Sequence, residues 1–230
     1  MTNITALIID DERTARLELR RMLEDYPAIK VVGEAPDADE AEQLIRAIKP
    51  DIIFLDIQMP GRSGFELLES LMSVPIVIFV TAFDAYAVKA FEVSALDYLM
   101  KPVREERFAK AVQQAIARFK HKETPFIFVK DRGHYHMIKW EDVHLIESMD
   151  NYARLFFSTQ SVLLKTSLNQ LEEQLDRQLF FRTSRAQIIN LRYIESIREQ
   201  AGRFSVHLKT GQLINFSSRQ SSRFKSLNRY

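Results

Sequence analysis

Four short apolar runs each end on a charged or hydroxyl residue, and this repeat constrains the first half of the chain more than any other feature. Ala6-Leu7-Ile8-Ile9 is closed by Asp10 and Asp11, Ile52-Ile53-Phe54-Leu55 by Asp56, Ile76-Val77-Ile78-Phe79-Val80 by Thr81, and Tyr98-Leu99-Met100 by Lys101. Runs of this length without alternation read as strands buried on both faces. Segments with helical spacing separate them: Ala15, Leu19, Met22 and Leu23 before Pro27; Ala41, Leu44, Ile45 and Ile48 before Pro50; Phe65, Leu67, Leu68 and Leu71 before Pro75. A strand at Val31-Val32 and helices over 84–93 and 104–119 complete five strands alternating with five helices. Such alternation predicts an α/β fold with a doubly wound five-stranded parallel sheet. The carboxyl ends of the strands border the ligand crevice in that class, so three carboxylates, a hydroxyl and an ammonium are aimed at one pocket.

Crowding sets the chemistry of that pocket. Like charges about 4 Å apart repel by roughly 4 kcal/mol at an effective dielectric of about 20, so Asp10, Asp11 and Asp56 call for a cation. A small divalent ion with oxygen ligands answers the need, and Mg²⁺ is the usual choice beside phosphate. Asp56, on the central strand, is the candidate nucleophile and would form an aspartyl phosphate. Lys101 adds a second positive charge, and Thr81 can donate a hydrogen bond to a phosphoryl oxygen.

The loop Asp56-Ile57-Gln58-Met59-Pro60-Gly61, with Thr81-Ala82 and Lys101-Pro102 at their spacings, resembles the phosphoacceptor site of response-regulator receiver domains. The resemblance covers residues 1–121. It implies a phosphoryl group received from a sensor histidine kinase, and Mg²⁺ held by Asp11, Asp56 and the backbone carbonyl of Gln58, with Asp10 acting mainly through water. It also implies a cis bond before Pro102, and a switch in which Thr81 moves toward the phosphoryl group while Tyr98 swings inward after it. A homodimer on phosphorylation is expected through 84–93, 98–100 and 104–119, with Lys89, Asp97 and Arg107 available for cross-pairing. Ala90, Phe91 and Val93 on the first of these segments serve a dimer face or core packing equally well.

Beyond residue 121 the pattern changes. The polar stretch around 122–125 reads as a linker, and residues 126–230 as a second domain, mostly β with one main helix. Its strands are expected at 126–129, 134–138, 143–146, 154–157, 162–164, 204–208 and 213–216. The helix is placed at 167–179: Ser167 and Gln170 form a capping-box pattern, and Leu168, Leu171, Leu175 and Leu179 give one apolar face. A net charge of +1 hides a division, since residues 1–120 carry −5 and residues 121–230 carry +6. No acidic residue follows Glu199, whereas Arg219, Arg223, Lys225 and Arg229 do. An acidic half joined to a basic half suits a signalling domain fused to a polyanion binder.

The second half resembles the LytTR DNA-binding domain. The matching residues are Trp140-Glu141-Asp142-Val143 through Ile146-Glu147, Tyr152-Ala153-Arg154-Leu155, and the run from Phe180-Phe181-Arg182-Thr183-Ser184-Arg185 to Asn190. The resemblance implies double-stranded promoter DNA, in direct repeats, read from loops that map onto Arg154, Arg185 and Arg219. Arginine suits both phosphate anchoring and bidentate contact with guanine. Ser184, Ala186 and Gln187 depart from the common pattern, where a histidine, a serine and an aromatic are usual, so base contacts do not carry over at those positions. Asn190 reads as a structural turn residue. The expected exposed face of the 167–179 helix carries Glu172, Glu173 and Asp176, which phosphates would repel.

Other chemistries are disfavoured. Zero cysteines exclude disulfides and thiol catalysis, and six glycines form no phosphate-cradling motif. The start of the chain lacks a basic n-region and no run approaches the roughly 20 apolar residues of a membrane span, so a cytoplasmic protein is expected. Three classes stand open: a phosphorylation-controlled transcription regulator without enzymatic turnover of its own, a phosphohydrolase with an aspartyl nucleophile, and a binding protein whose acidic site is vestigial. A phosphohydrolase of that kind usually has an acid where Gln58 stands.

Overall fold

Strands β1 (Ile4–Ile9), β2 (Ile29–Ala35), β3 (Ile52–Leu55), β4 (Ile76–Thr81) and β5 (Asp97–Met100) pair in parallel, in the order β2-β1-β3-β4-β5. This computed structural model describes residues 4–82, 97–120 and 126–227. Side chains on the sheet alternate strictly between two cores. Leu7, Ile9, Ile53, Leu55, Val77 and Phe79 face one core. Ala6, Ile8, Ile52, Phe54, Ile78 and Val80 face the other. Helices α2 (Ala38–Ile48) and α3 (Gly64–Glu69) cover the first face; α1 (Arg13–Leu23) and α4 (Glu105–Lys120) cover the second. The sheet is the doubly wound one expected from the alternation. The expected helix at 84–93, with Lys89, Ala90, Phe91 and Val93, lies outside the described residues.

Local chemistry fixes the helix ends. Asp37 caps α2, its side chain accepting from the N–H groups of Asp39 and Glu40. Lys49 closes α2 in the left-handed conformation directly before Pro50. Ser63 and Glu66 form a reciprocal capping box on α3. Strand β2 is longer than the Val31-Val32 expected from its apolar pair, because it is a half-exposed edge strand bearing Lys30 and Glu34.

A hairpin, β6 (Phe126–Asp131) and β7 (His134–Lys139), turns at Arg132-Gly133, both with positive φ. It packs on the first unit. Phe126 and Phe128 join the α2/α3 core, with Tyr135 and Met137 against it. Phe65 of α3 stacks on Tyr135 at 4.9 Å and on Phe128 at 6.0 Å between centroids. Val74 N–H donates to the Phe126 carbonyl at 2.9 Å, and the Arg118 guanidinium lies 4.5 Å from the Phe126 ring centre. The first compact unit therefore runs to Met137 rather than ending at the 121–126 boundary suggested by composition. The expected linker at 122–125 lies outside the described residues.

The second unit, from Ile138, holds an antiparallel sheet in the order β10-β9-β8-β12-β11. Its strands are β8 (Val143–Met149), β9 (Tyr152–Phe157), β10 (Gln160–Leu164), β11 (Phe180–Arg182) and β12 (Gln187–Asn190). A three-stranded sheet follows, β13 (Ile194–Gln200), β14 (Arg203–Leu208) and β15 (Leu213–Asn215). The capping box at Ser167 and Gln170 opens α5, but this helix spans Leu168–Gln174 and stops short of residue 179. Asp176 is the reason. Its side chain accepts from Gln178 N–H, and its carbonyl accepts from Leu179 and Phe180, making a competing turn. Leu175 and Leu179 are still buried, so the apolar pattern outlasts the helix. A further helix, α6 (Ser218–Leu227), was not expected, and Arg219 stands in its first turn rather than in a loop. Buried Asn190 is structural: its amide donates to the carbonyls of Glu141 and Val143, and its oxygen accepts from Arg192 N–H.

Candidate functional site

The strand order reverses between β1 and β3, and the acidic residues stand at the carboxyl ends of those two strands. That switch point is where chain ends diverge and leave a crevice. Asp10, Asp11 and Asp56 each present a carboxylate oxygen within 4.8 Å of the others. Asp10 and Asp56 are buried and Asp11 is exposed. The Lys101 ammonium bridges the two buried acids, 2.8 Å from Asp10 Oδ2 and 2.7 Å from Asp56 Oδ2. The Lys101–Pro102 peptide is cis, as the resemblance implies. Burial pushes the Asp10 carboxyl up from its ordinary value, against the pull of Lys101. Burial works against the Lys101 charge too, but its bonds to Asp10 and Asp56 outweigh it and hold the ammonium above its usual range.

Asp10, Asp11 and Asp56 outnumber the ammonium that bridges two of them, and Glu12 Oε2 stands 3.7 Å from the same nitrogen, so the cluster keeps a negative excess that a divalent cation would offset. Mg²⁺ takes oxygen ligands at about 2.0–2.1 Å and keeps several waters, so carboxylate oxygens grouped within 4.8 Å of one another suit an ion held directly by some of them and through water by others. Asp56 Oδ1 is already oriented by Gln58 N–H at 3.1 Å, and Asp10 Oδ1 by Glu12 N–H at 3.0 Å. Thr81 is fully buried, and its hydroxyl finds no hydrogen-bond partner among the described residues. An unmade bond of this kind costs about 1–3 kcal/mol, so the position fits an incoming oxygen. Tyr98 on β5 is half-buried against the α2/α3 core.

Two supporting residues escaped the sequence reading. The Arg16 guanidinium donates to the carbonyl of Asp10 at 2.7 Å and of Asp11 at 3.3 Å, while its Nε meets Glu34 at 3.2 Å. It clamps the backbone of the acid pair from α1. Gly64, the first residue of α3, lies against the peptide that follows Asp56: a Cβ there would stand 2.4 Å from the Asp56 carbonyl oxygen and 3.2 Å from Ile57 Cα. Both are backbone atoms and cannot swing away. Gly64→Ala should therefore destabilise the first unit by about 1–3 kcal/mol through overpacking, although alanine is the better helix former by about 1 kcal/mol. Denaturant unfolding decides this, and a gain in stability would mean that helix propensity wins over the clash.

In the second unit Arg185 and Arg219 are exposed and Arg154 is half-exposed on β9, its guanidinium on the Met149 sulfur. The 183–186 loop carrying Arg185 is tied to the segments of the other two. Ser148 N–H at the end of β8 donates to Ala186 O at 2.8 Å, and Ser217 N–H before α6 donates to Thr183 O at 2.9 Å. Glu172 is not the free surface charge that the helical pattern suggested. It pairs with Arg182 at 3.0 Å and with Arg223 at 2.8 Å, whereas Glu173 and Asp176 are exposed. Among the described residues no helix is long and apolar enough to cross a membrane.

Comparison with known proteins agrees with both halves. Residues 6–113 match the response regulator receiver domain and residues 133–228 the LytTr DNA-binding domain. A sensory transduction protein LytT of Enterococcus faecalis is 32% identical over 205 residues, covering 84% of this chain and 85% of that protein. The transcriptional regulatory protein BtsR of Escherichia coli is 33% identical over 230 residues, covering 94% and 95%. Among solved structures, the response regulatory domain of protein mrkE from Klebsiella pneumoniae is 30% identical with a TM-score of 0.48, covering 51% of this chain and 99% of that one. With relatives matched along nearly their whole length and a switch-point acid cluster in the first unit, the chain belongs to the DNA-binding two-component response regulators that join a receiver domain to a LytTR domain.

Proposed function

We propose that Asp56 is the phosphoacceptor, that the chain works in the cytoplasm on a phosphoryl group supplied by a sensor histidine kinase, and that the modified chain dimerises on direct repeats in promoter DNA. The observation that carries this reading is the setting of the Asp56 carboxylate. One oxygen is fixed by Gln58 N–H and the other by Lys101. A carboxylate oxygen of Asp56 attacks phosphorus, a P–O bond forms, and the P–N bond to the kinase imidazole breaks. Lys101 then exchanges part of its contact with Asp56 for a phosphoryl oxygen, and the Thr81 hydroxyl gains the acceptor it lacks. Asp11, Asp56 and the Gln58 carbonyl would hold Mg²⁺, with Asp10 acting through water; the bound ion offsets negative charge on the phosphoryl oxygens. Inward movement of Tyr98 beside Thr81 would carry the change to the β5 and α4 face. Apart from slow loss of its own phosphoryl group, the chain has no turnover in this scheme. Arg185 and Arg219 would read bases, and Arg154 would anchor a phosphate.

Incubation with acetyl phosphate and Mg²⁺, followed by intact mass, should show one added phosphoryl group in the wild type and none in Asp56→Asn. Labelling that survives Asp56→Asn and vanishes in Asp11→Asn would identify a different nucleophile. Sedimentation with beryllofluoride tests the dimer, and an unchanged monomer at micromolar concentration counts against it.

A further inference from the structure

Two arginines stand within the run that matches the DNA-binding family, Arg182 and Arg185, and the structure gives them opposite roles. Arg185 is exposed at the tip of the 183–186 loop. Arg182, at the end of β11, turns its guanidinium inward, its side chain 12% exposed. Its Nε donates to the Ser184 carbonyl at 3.0 Å and its Nη2 to the Arg185 carbonyl at 3.0 Å. Its Nη1 donates to Asn169 Oδ1 at 2.6 Å and to Glu172 Oε2 at 3.0 Å, both on α5. Four of the five N–H donors of a guanidinium are thereby engaged. A side chain so occupied has little left to offer a base or a phosphate.

We propose that Arg182 is a positioning residue for DNA recognition: it braces the backbone of the 183–186 loop so that Arg185 projects in one orientation. Glu172 is the internal counter-charge of this brace. Its second oxygen takes Arg223 of α6 at 2.8 Å, and the Arg223 guanidinium lies over the Phe181 ring at 5.8 Å. The loop's Thr183 carbonyl is bonded in turn to Ser217 N–H, which precedes α6. One charged network thus joins α5, the Arg185 loop and the helix bearing Arg219. Charge-assisted bonds from a planar fork are strong and directional, and a fork held at both carbonyls fixes the loop in a way that a single ammonium cannot. The inference rests on the proposed reading that the 183–186 loop enters the groove.

The test uses the full chain and a duplex selected by the wild type from a random library, with an unselected duplex as control. Affinity for both is measured at two salt concentrations for Arg182→Ala, Arg182→Lys, Glu172→Gln and Arg185→Ala. Arg182→Ala should reduce the preference for the selected duplex about tenfold with the salt slope unchanged, and Arg182→Lys should not restore it. The isosteric Glu172→Gln keeps the shape of the brace but frees two arginine charges. It should lower the preference and steepen the salt slope on both duplexes by up to about one unit. Fluorescence of Trp140, the single tryptophan, verifies that each variant's second unit is folded. A salt slope that falls by about one unit in Arg182→Ala and returns in Arg182→Lys would make Arg182 a phosphate contact and overturn the brace. Wild-type preference in Arg182→Ala with loss in Arg185→Ala would also overturn it. Wild-type preference in Arg185→Ala would instead overturn the loop reading itself, which separates the two failures.

Discussion

Replacing Lys101 with alanine should destabilise the first unit by about 3–5 kcal/mol when divalent cations are chelated, and saturating Mg²⁺ should recover most of that loss. Asp10 and Asp56 are buried, and among the described residues Lys101 is the cationic side chain paired with both. Its removal leaves two buried carboxylates and the neighbouring Asp11 with no ammonium. Mg²⁺ at about 100 times its dissociation constant adds about 2.7 kcal/mol to a folded state that alone binds it, enough to offset much of the deficit. The pH dependence has a definite sign. The folded Asp10 carboxyl lies above its ordinary 3.8 because of burial, so the native state holds its proton more tightly than the unfolded chain and stability falls as pH rises. Without Lys101 that shift grows. The deficit in chelator should therefore shrink as pH is lowered from neutral toward the ordinary carboxylate range. Urea unfolding at neutral and at lower pH, with and without Mg²⁺, measures all three effects; a Lys101→Ala chain that gains no stability from Mg²⁺ would separate the cluster from cation binding. Phosphorylation of Asp56 should remain impaired even with Mg²⁺, since the metal replaces the charge of Lys101 but not its position.

The acidic cluster was legible in the sequence because each of its members closes an apolar run, and a parallel sheet collects strand ends. Periodicity placed the sheet for the same reason. It failed where burial is partial, as at β2, and where a polar side chain overrides it, as Asp176 does at the end of α5. Helix α6 was missed because Phe224 is the one buried apolar side chain among its described side chains. A local signal was nevertheless present: Ser217 and Gln220 have capping-box spacing, and the Ser217 hydroxyl accepts from Gln220 N–H at 3.3 Å. Arg16, Gly64 and Arg182 act on backbone atoms of residues that sequence reasoning did identify. A contact with a carbonyl leaves no trace in the composition of either partner, so these three required coordinates. Glu172 shows the converse: helical spacing placed it on a charged outer face, and tertiary pairing with two arginines gave it another role.

The allegiance of the β6–β7 hairpin yields the other large expected effect. Phe128 is fully buried, 6.0 Å from Phe65 and 5.3 Å from Tyr135 between ring centres. Truncating a buried phenylalanine to alanine costs about 3–5 kcal/mol, and Phe128→Ala should withdraw that amount from the unit the ring packs in. The two units carry separate reporters. Trp140 is buried in the second, 6.0 Å from Phe180, whereas the first contributes no tryptophan and is followed by its helical circular dichroism. In the full chain, Phe128→Ala should lower the midpoint of the helical transition and leave that of Trp140 fluorescence nearly unchanged. The opposite result, with Trp140 destabilised and the helices untouched, would return the hairpin to the DNA-binding unit. Of chains ending at 121 and at 137, the shorter should be the less stable by several kcal/mol, because without the hairpin Phe65 loses its stacking on Phe128 and Tyr135. Strand β7 leads directly into the second unit at Ile138. A hairpin packed on α3, the helix that begins at Gly64 against the Asp56 peptide, therefore belongs to the fold of the first unit as far as Met137.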